Sequence, residues 1–210
     1  MYKLVIFDFD GTLANSLPAF GQVLNELADR YHFPKVDESQ VERLRSLGAR
    51  QIMQELRIPY WQVPLIGRDA VRLMARHADQ IALFDGIDTV LQQLSEAGIT
   101  LALITSNSRE NVSQILGARN QALLHYIECG SSLFGKRAKI RKVLKKSGFR
   151  PGQTLCIGDE IRDIEAAHDE GTAFGAVAWG YTNLDALKAY QPKEVFHAPA
   201  EIGTRLITPN

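Results

Sequence analysis

An α/β fold, a parallel sheet with a helical block inserted after its first strand, is what this 210-residue sequence predicts. Three observations carry that prediction. Short apolar runs alternate with amphipathic helical stretches through the second half of the chain, the rhythm of a parallel sheet wound by crossover helices. Residues 16–83 break that rhythm, offering helical stripes and no convincing strand. Two apolar runs end abruptly in acid, one at Asp8 and one at Gly158-Asp159. Open parallel sheets receive their ligands at that carboxyl edge.

The first strand is expected at 3–8, in KLVIFDFDGTLANS. Asp8 and Asp10 lie two residues apart on extended chain, so their side chains project to the same side. Burying two like charges at a strand end costs stability unless a cation or a held proton relieves them. Asp10-Gly11-Thr12 also reads as an ordinary turn, but the second acidic strand end, with Asp163 one helical turn past Asp159, tips the balance toward a shared ion.

After that strand, Leu17, Phe20, Leu24, Leu27, Ala28 and Tyr31 form one helical stripe. Val41, Leu44 and Leu47 suggest a second helix, Ile52, Met53 and Leu56 a third, and Val71, Leu73 and Met74 a fourth. Such a block would stand above the acidic edge as a cap spanning 16–83, with Tyr60-Trp61 in its core. The hinges are expected near 13–17 and 80–86, leaving 1–15 and 84–210 as the core domain. There, strands are expected at 99–105, 125–129, 153–158, 174–179 and 194–197, with helices at 87–97, 108–118, 136–147 and 161–170. Together these give a Rossmann-like parallel sheet core with an all-helical cap; Pro192, Pro199 and Pro209 mark a loose tail.

Composition narrows the function. Lysine plus arginine and aspartate plus glutamate number 24 each, so the formal net charge is zero and no general electrostatic case exists for nucleic acid or an anionic membrane. The basic run 136–146 carries Ile140, Val143 and Leu144 on one face and reads as a helix with a solvated side. Cys129 and Cys156 lie in apolar runs and read as small buried hydrophobes, not as a disulfide. The chain opens directly on a strand and has no apolar run of the ~20 residues needed to cross a bilayer, so a cytoplasmic location is expected. His168 reads as a surface residue, and Trp179-Gly180-Tyr181 as packing or as an edge of the site.

In order along the chain stand Asp8-Phe9-Asp10-Gly11-Thr12, then Thr105 at the end of LALIT, then a basic residue near Lys136, then Gly158-Asp159 with Asp163. This ordered set resembles the four motifs of the haloacid dehalogenase-like hydrolase superfamily, in its helical-capped branch near the phosphoglycolate phosphatases and β-phosphoglucomutases. The resemblance implies phosphoryl transfer from a small phosphorylated metabolite, through an aspartyl-phosphate, in a monomer or homodimer. It makes Asp8 the nucleophile and Asp10 the general acid and base. The relatives that cleave carbon–halogen bonds lack the second aspartate, so its presence favours phosphorus chemistry.

Mg²⁺ is the implied cofactor, on Asp8, the Asp10 main-chain carbonyl and Asp159, with Asp163 behind them orienting water or Lys136. Thr105, the amides of Ser106 and Asn107, and Gly11 would bind the phosphoryl group; a plain helix cap by Ser106 or Asn107 is the alternative. Lys136 would neutralise charge at the reacting phosphorus. Many relatives carry Lys-Pro-x-Pro where this chain has Lys136-Arg137-Ala138-Lys139, so Lys139 stays open as the catalytic lysine. Arg50, in the cap sequence Gly48-Ala49-Arg50, would pair with a substrate carboxylate or phosphate, or sit on the surface. A phosphomutase and a non-catalytic phospho-accepting module remain alternatives to the phosphatase.

Overall fold

In the computed structural model, which describes residues 1–130 and 135–207, six strands form one parallel sheet ordered β3-β2-β1-β4-β5-β6. They are β1 (Leu4–Phe7), β2 (Thr100–Ile104), β3 (Tyr126–Glu128), β4 (Thr154–Gly158), β5 (Ala173–Val177) and β6 (Glu194–Phe196). β1 sits at the centre, with Phe7 level with Leu103 of β2 on one side and Ile157 of β4 on the other. This register brings the residues that follow three strands, Asp8, Thr105 and Asp159, to one edge.

Both faces of the sheet are covered, so its strands are apolar throughout rather than alternating. Val5, Phe7, Leu101, Leu103, Leu155 and Ile157 face one core, with α5 (Ile87–Glu96), α6 (Arg109–Leu123) and α10 (Pro199–Ile207). Leu4, Ile6, Ala102, Ile104 and Cys156 face the other, with α7 (Gly135–Ser147), α8 (Ile161–Asp169) and α9 (Leu184–Lys188). The backbone of α6 leaves helical geometry at Gly117 (φ +73°), close to the expected end of that helix at 118.

Between β1 and α5 the chain forms α1 (Leu17–Tyr31), α2 (Glu38–Arg45), α3 (Ala49–Glu55) and α4 (Val63–Arg76). Asp69 of α4 ties this block together, accepting from Arg30 at 3.0 Å and from the Tyr31 hydroxyl at 2.8 Å. The outgoing and returning chains run side by side, where the Asn15 amide donates to Ala82 O and the Phe84 amide to Leu13 O. A cavity of about 320 Å³ adjoins this crossing, lined by Asn15, Gln22, Gln80 and Phe84 among others, and includes none of the acidic strand-end residues.

Two expectations need correction. Tyr60 and Trp61 are 58% and 71% exposed, so they are surface residues of the cap and not its core. The tail beyond Pro192 is ordered through 207. Pro199 opens α10, where its fixed φ and missing N–H cost nothing at a first helical position, and Ile202 is fully buried against the core. Pro209 lies outside the described residues. The solvated side of α7 is as expected: Arg137, Arg141, Lys142 and Lys146 are exposed, and there the first two meet Glu170 and the last two Glu128. Ile202→Ala is expected to cost about 2–5 kcal/mol of stability, as deletion of a buried branched side chain does, measurable by denaturant unfolding.

Candidate active site

The carboxyl edge gathers three buried acids. Asp8 follows β1, Asp159 follows β4, and Asp163 stands in the first turn of α8; one carboxylate oxygen from each lies within 4.8 Å of the others. Their burial requires compensation. Lys136 of α7 supplies part of it, with Nζ 2.7 Å from Asp8 Oδ2 and in an ion pair with Asp163 Oδ1. Asp163 Oδ2 also accepts the Glu160 amide, which anchors the start of α8. Burial opposes the charge on Lys136, but Asp163 and Asp8 outweigh it and raise its pKa. Burial pushes Asp8 up to about 7 against the pull of Lys136. Burial and then Asp8 drive Asp159 well above the usual carboxylate range.

Three carboxylates against one ammonium leave a buried site short of positive charge, and every donor is a hard oxygen. That set suits a magnesium-like cation, which takes few carboxylates and completes its shell with water and substrate oxygens. Asp159 is oriented for such a task without being consumed by it: Thr12 Oγ1 donates to its Oδ1 at 2.6 Å, and the Tyr181 amide to its Oδ2 at 2.7 Å. Each oxygen keeps a lone pair.

The chain turns tightly after Asp8 so that Thr12 can reach Asp159. The amides of Thr12, Leu13 and Ala14 all donate to Phe9 O, and the Gly11 amide donates to Ala14 O. Gly11 has φ +79°, and a Cβ there would collide with Asp159 and Tyr181. Only glycine allows this approach. With its amide bonded to Ala14, Gly11 serves the turn in this structure.

Asp10 stands beside the acid cluster rather than in it. Asn107 Nδ2 donates to both its oxygens at 3.2 and 3.3 Å. Burial raises its pKa, with Asn107 and Ser16 pulling the other way. Thr105 is buried next to these groups; its Oγ1 accepts the Asn107 amide at 2.9 Å. That amide is therefore engaged within the loop, while Ser106 is exposed. The helix cap belongs to neither candidate: Ser108 Oγ accepts the Asn111 amide at 3.2 Å. Asn107 instead spends its side chain on Asp10, Ser108 and Asn111.

The two lysines separate clearly. Lys136 reaches the carboxylates, whereas Lys139, one turn on, donates to the carbonyls of Thr105 and Gly130. The loop 131–134 that precedes them, part of the reason for favouring Lys136, lies outside the described residues. Arg50 is exposed in the first turn of α3 and makes no ion pair or hydrogen bond with the acids. One cap residue that does reach this edge is Arg45, which sequence reasoning missed: it bonds the carbonyls of Gly180 and Tyr181. Ser16 was missed as well, because a serine ahead of a helix looks like a cap, yet its side chain makes no cap bond. Cys156 is buried 3.3 Å from Thr172 Oγ1, and burial pushes its thiol up to about 12, so it offers no nucleophile. His168 is exposed.

A family model described as haloacid dehalogenase-like hydrolase matches residues 5–177. The phosphoglycolate phosphatase of Synechococcus elongatus is 29% identical over 201 residues, covering 95% of each chain. The N-acetylmuramic acid 6-phosphate phosphatase of Pseudomonas aeruginosa is 28% identical over 203 residues, covering 92% of this chain and 89% of that one. A haloacid dehalogenase-like family hydrolase from Streptococcus pneumoniae shares the fold with a TM-score of 0.81 at 21% identity, over 97% of this chain and 98% of the other. With its four motif segments gathered on one sheet edge beneath a helical cap, and with this match over most of its length, the chain belongs to the haloacid dehalogenase-like hydrolases.

Proposed function

We propose that this protein is a Mg²⁺-dependent phosphatase of a small phosphorylated metabolite, acting through an aspartyl-phosphate on Asp8. The observation that carries this reading is the buried arrangement of Asp8 against Lys136, with Asp159 and Asp163 close enough to share one cation. Residues 16–83 act as the cap, on a core of 1–15 and 84–210.

Asp8 attacks phosphorus, forming a new oxygen–phosphorus bond as the bond to the ester oxygen breaks. Asp10 gives its proton to that leaving oxygen, and its burial raises its pKa in the direction that this step needs. Water then attacks the phosphorus, Asp10 takes back a proton, and the bond to Asp8 breaks to release inorganic phosphate. Lys136 holds Asp8 in place and offsets the charge gathering around it. Thr105 stands where a phosphoryl oxygen would meet a hydroxyl donor. Asn107, through its two bonds, keeps Asp10 turned toward the same space. Mg²⁺, held by Asp8 and Asp159 together with the Asp10 carbonyl, would draw charge from the phosphoryl oxygens.

Phosphoglycolate is the first substrate to try, since the Synechococcus relative bears that name. The test is phosphate release from a panel of small phosphoesters, phosphoglycolate and hexose phosphates among them, with Mg²⁺ and with EDTA. Many turnovers per chain with Mg²⁺ and a fall to background with EDTA are expected. Isomerised sugar phosphate without free phosphate would indicate a mutase instead. A single phosphate per chain would indicate a phospho-accepting module.

A further inference from the structure

The turn that follows β5 links the helical block to the acids below it. From α2, Arg45 Nη2 donates to Gly180 O at 2.9 Å and Nε to Tyr181 O at 3.2 Å, while the Arg45 carbonyl accepts the Asn183 amide at 2.7 Å. From α1, Phe20 stands edge-on to the Tyr181 ring, with centroids 5.4 Å apart. On the opposite side, the Tyr181 amide holds Asp159 Oδ2. The Tyr181 hydroxyl lies 3.0 Å from Ser16 Oγ, and Ser16 in turn favours the charged form of Asp10. Gly180 packs so closely on Asp159 that a Cβ would overlap it, so movement of this turn is movement against Asp159.

From this juxtaposition we propose that Arg45 is a positioning residue that couples seating of the cap to the orientation of Asp159 and Asp10. Gripped by Arg45, the 180–183 turn delivers one amide to Asp159 and one hydroxyl to Ser16, which favours the charged form of Asp10. Lifting the cap withdraws the grip and loosens both. A planar guanidinium can span two successive carbonyls, which a lysine head cannot do with the same geometry. All three nitrogens of Arg45 are engaged, the third with Glu42 at 2.6 Å, so with the cap seated its role is to hold the turn. The inference rests on the phosphatase reading for its catalytic half and on the acid cluster alone for its metal half.

The experiment measures Mg²⁺ binding by titration calorimetry in the wild type, Arg45→Ala, Arg45→Lys and Tyr181→Phe, beside kcat and KM on one phosphoester. Arg45→Ala is expected to weaken Mg²⁺ binding and to lower kcat, each about tenfold, as loss of an outer-sphere partner does, with KM changing less. Arg45→Lys recovers part of both. Tyr181→Phe keeps the ring and the amide, so kcat falls while Mg²⁺ affinity holds. Unchanged Mg²⁺ affinity in Arg45→Ala overturns the proposal, as does a rise in KM alone, which would make Arg45 a substrate-binding residue. Should Arg45→Ala not fold, the lysine and phenylalanine variants carry the same decision. A wild type that binds Mg²⁺ but turns over no ester would sink the phosphatase reading and leave the calorimetric arm standing.

Discussion

Asp8→Asn is expected to reduce kcat for phosphate release by at least about 10⁴-fold, the scale of loss when a covalent nucleophile is removed. The amide is nearly isosteric with the carboxylate but is neutral and a poor nucleophile, so the first oxygen–phosphorus bond does not form. The fold should survive. Asp8 is buried beside two other acids, and burial already disfavours its charge. Removing that charge leaves Lys136 its pair with Asp163 and relieves like-charge crowding. The melting temperature of the metal-free variant should therefore equal or exceed that of the wild type. Activity and thermal unfolding, measured on one preparation, separate a lost reaction from a lost fold.

Lys136→Ala should do damage of both kinds. Without its ammonium, Asp8 and Asp163 face each other buried and unpaired, a situation that costs about 3–5 kcal/mol. The reacting phosphoryl group loses a fixed cation as well, worth about 10²–10³ in kcat. Mg²⁺ should raise the melting temperature of this variant more than that of the wild type, because it replaces part of the missing charge. Lys139→Ala removes a donor to two carbonyls and leaves the acid cluster untouched, so its kcat should fall far less. A larger kinetic loss at Lys139 would reverse the assignment of the catalytic lysine.

The parallel sheet was readable because most of its strands are short apolar runs and the helices at 87–97, 108–118, 136–147 and 161–170 show apolar stripes; the five-residue α9 is too short to show one and was not expected. The acids at its edge were readable because charge at the end of such a run has no structural reason to be there. What escaped lies in contacts between distant segments. Nothing local distinguishes Arg45, an arginine in the last turn of a helix, from a residue that merely complements the helix dipole. Its partners are backbone carbonyls beyond β5, which leave no mark in the sequence. Arg50 drew attention through its glycine-containing loop, yet helix geometry turns it to solvent. Tyr60-Trp61 looked like core by composition alone; a 3₁₀ turn at 60–62 sets both rings outward. The tail misled because proline density suggests loose chain, while one proline at a helix start does the opposite.

The most direct test of covalent catalysis at Asp8 is to quench the Mg²⁺-supported reaction in acid at saturating phosphoester and to map the phosphoryl group on the protein by mass spectrometry. With an aryl phosphate, whose leaving group needs no proton from Asp10, the Asp10→Asn variant is slowed mainly in the hydrolytic step and should accumulate the intermediate. A phosphoryl group on Asp8 is expected, lost when the sample is made alkaline. A phosphoryl group on any other side chain, or steady turnover with Asp8 unmodified in both proteins, would contradict the mechanism.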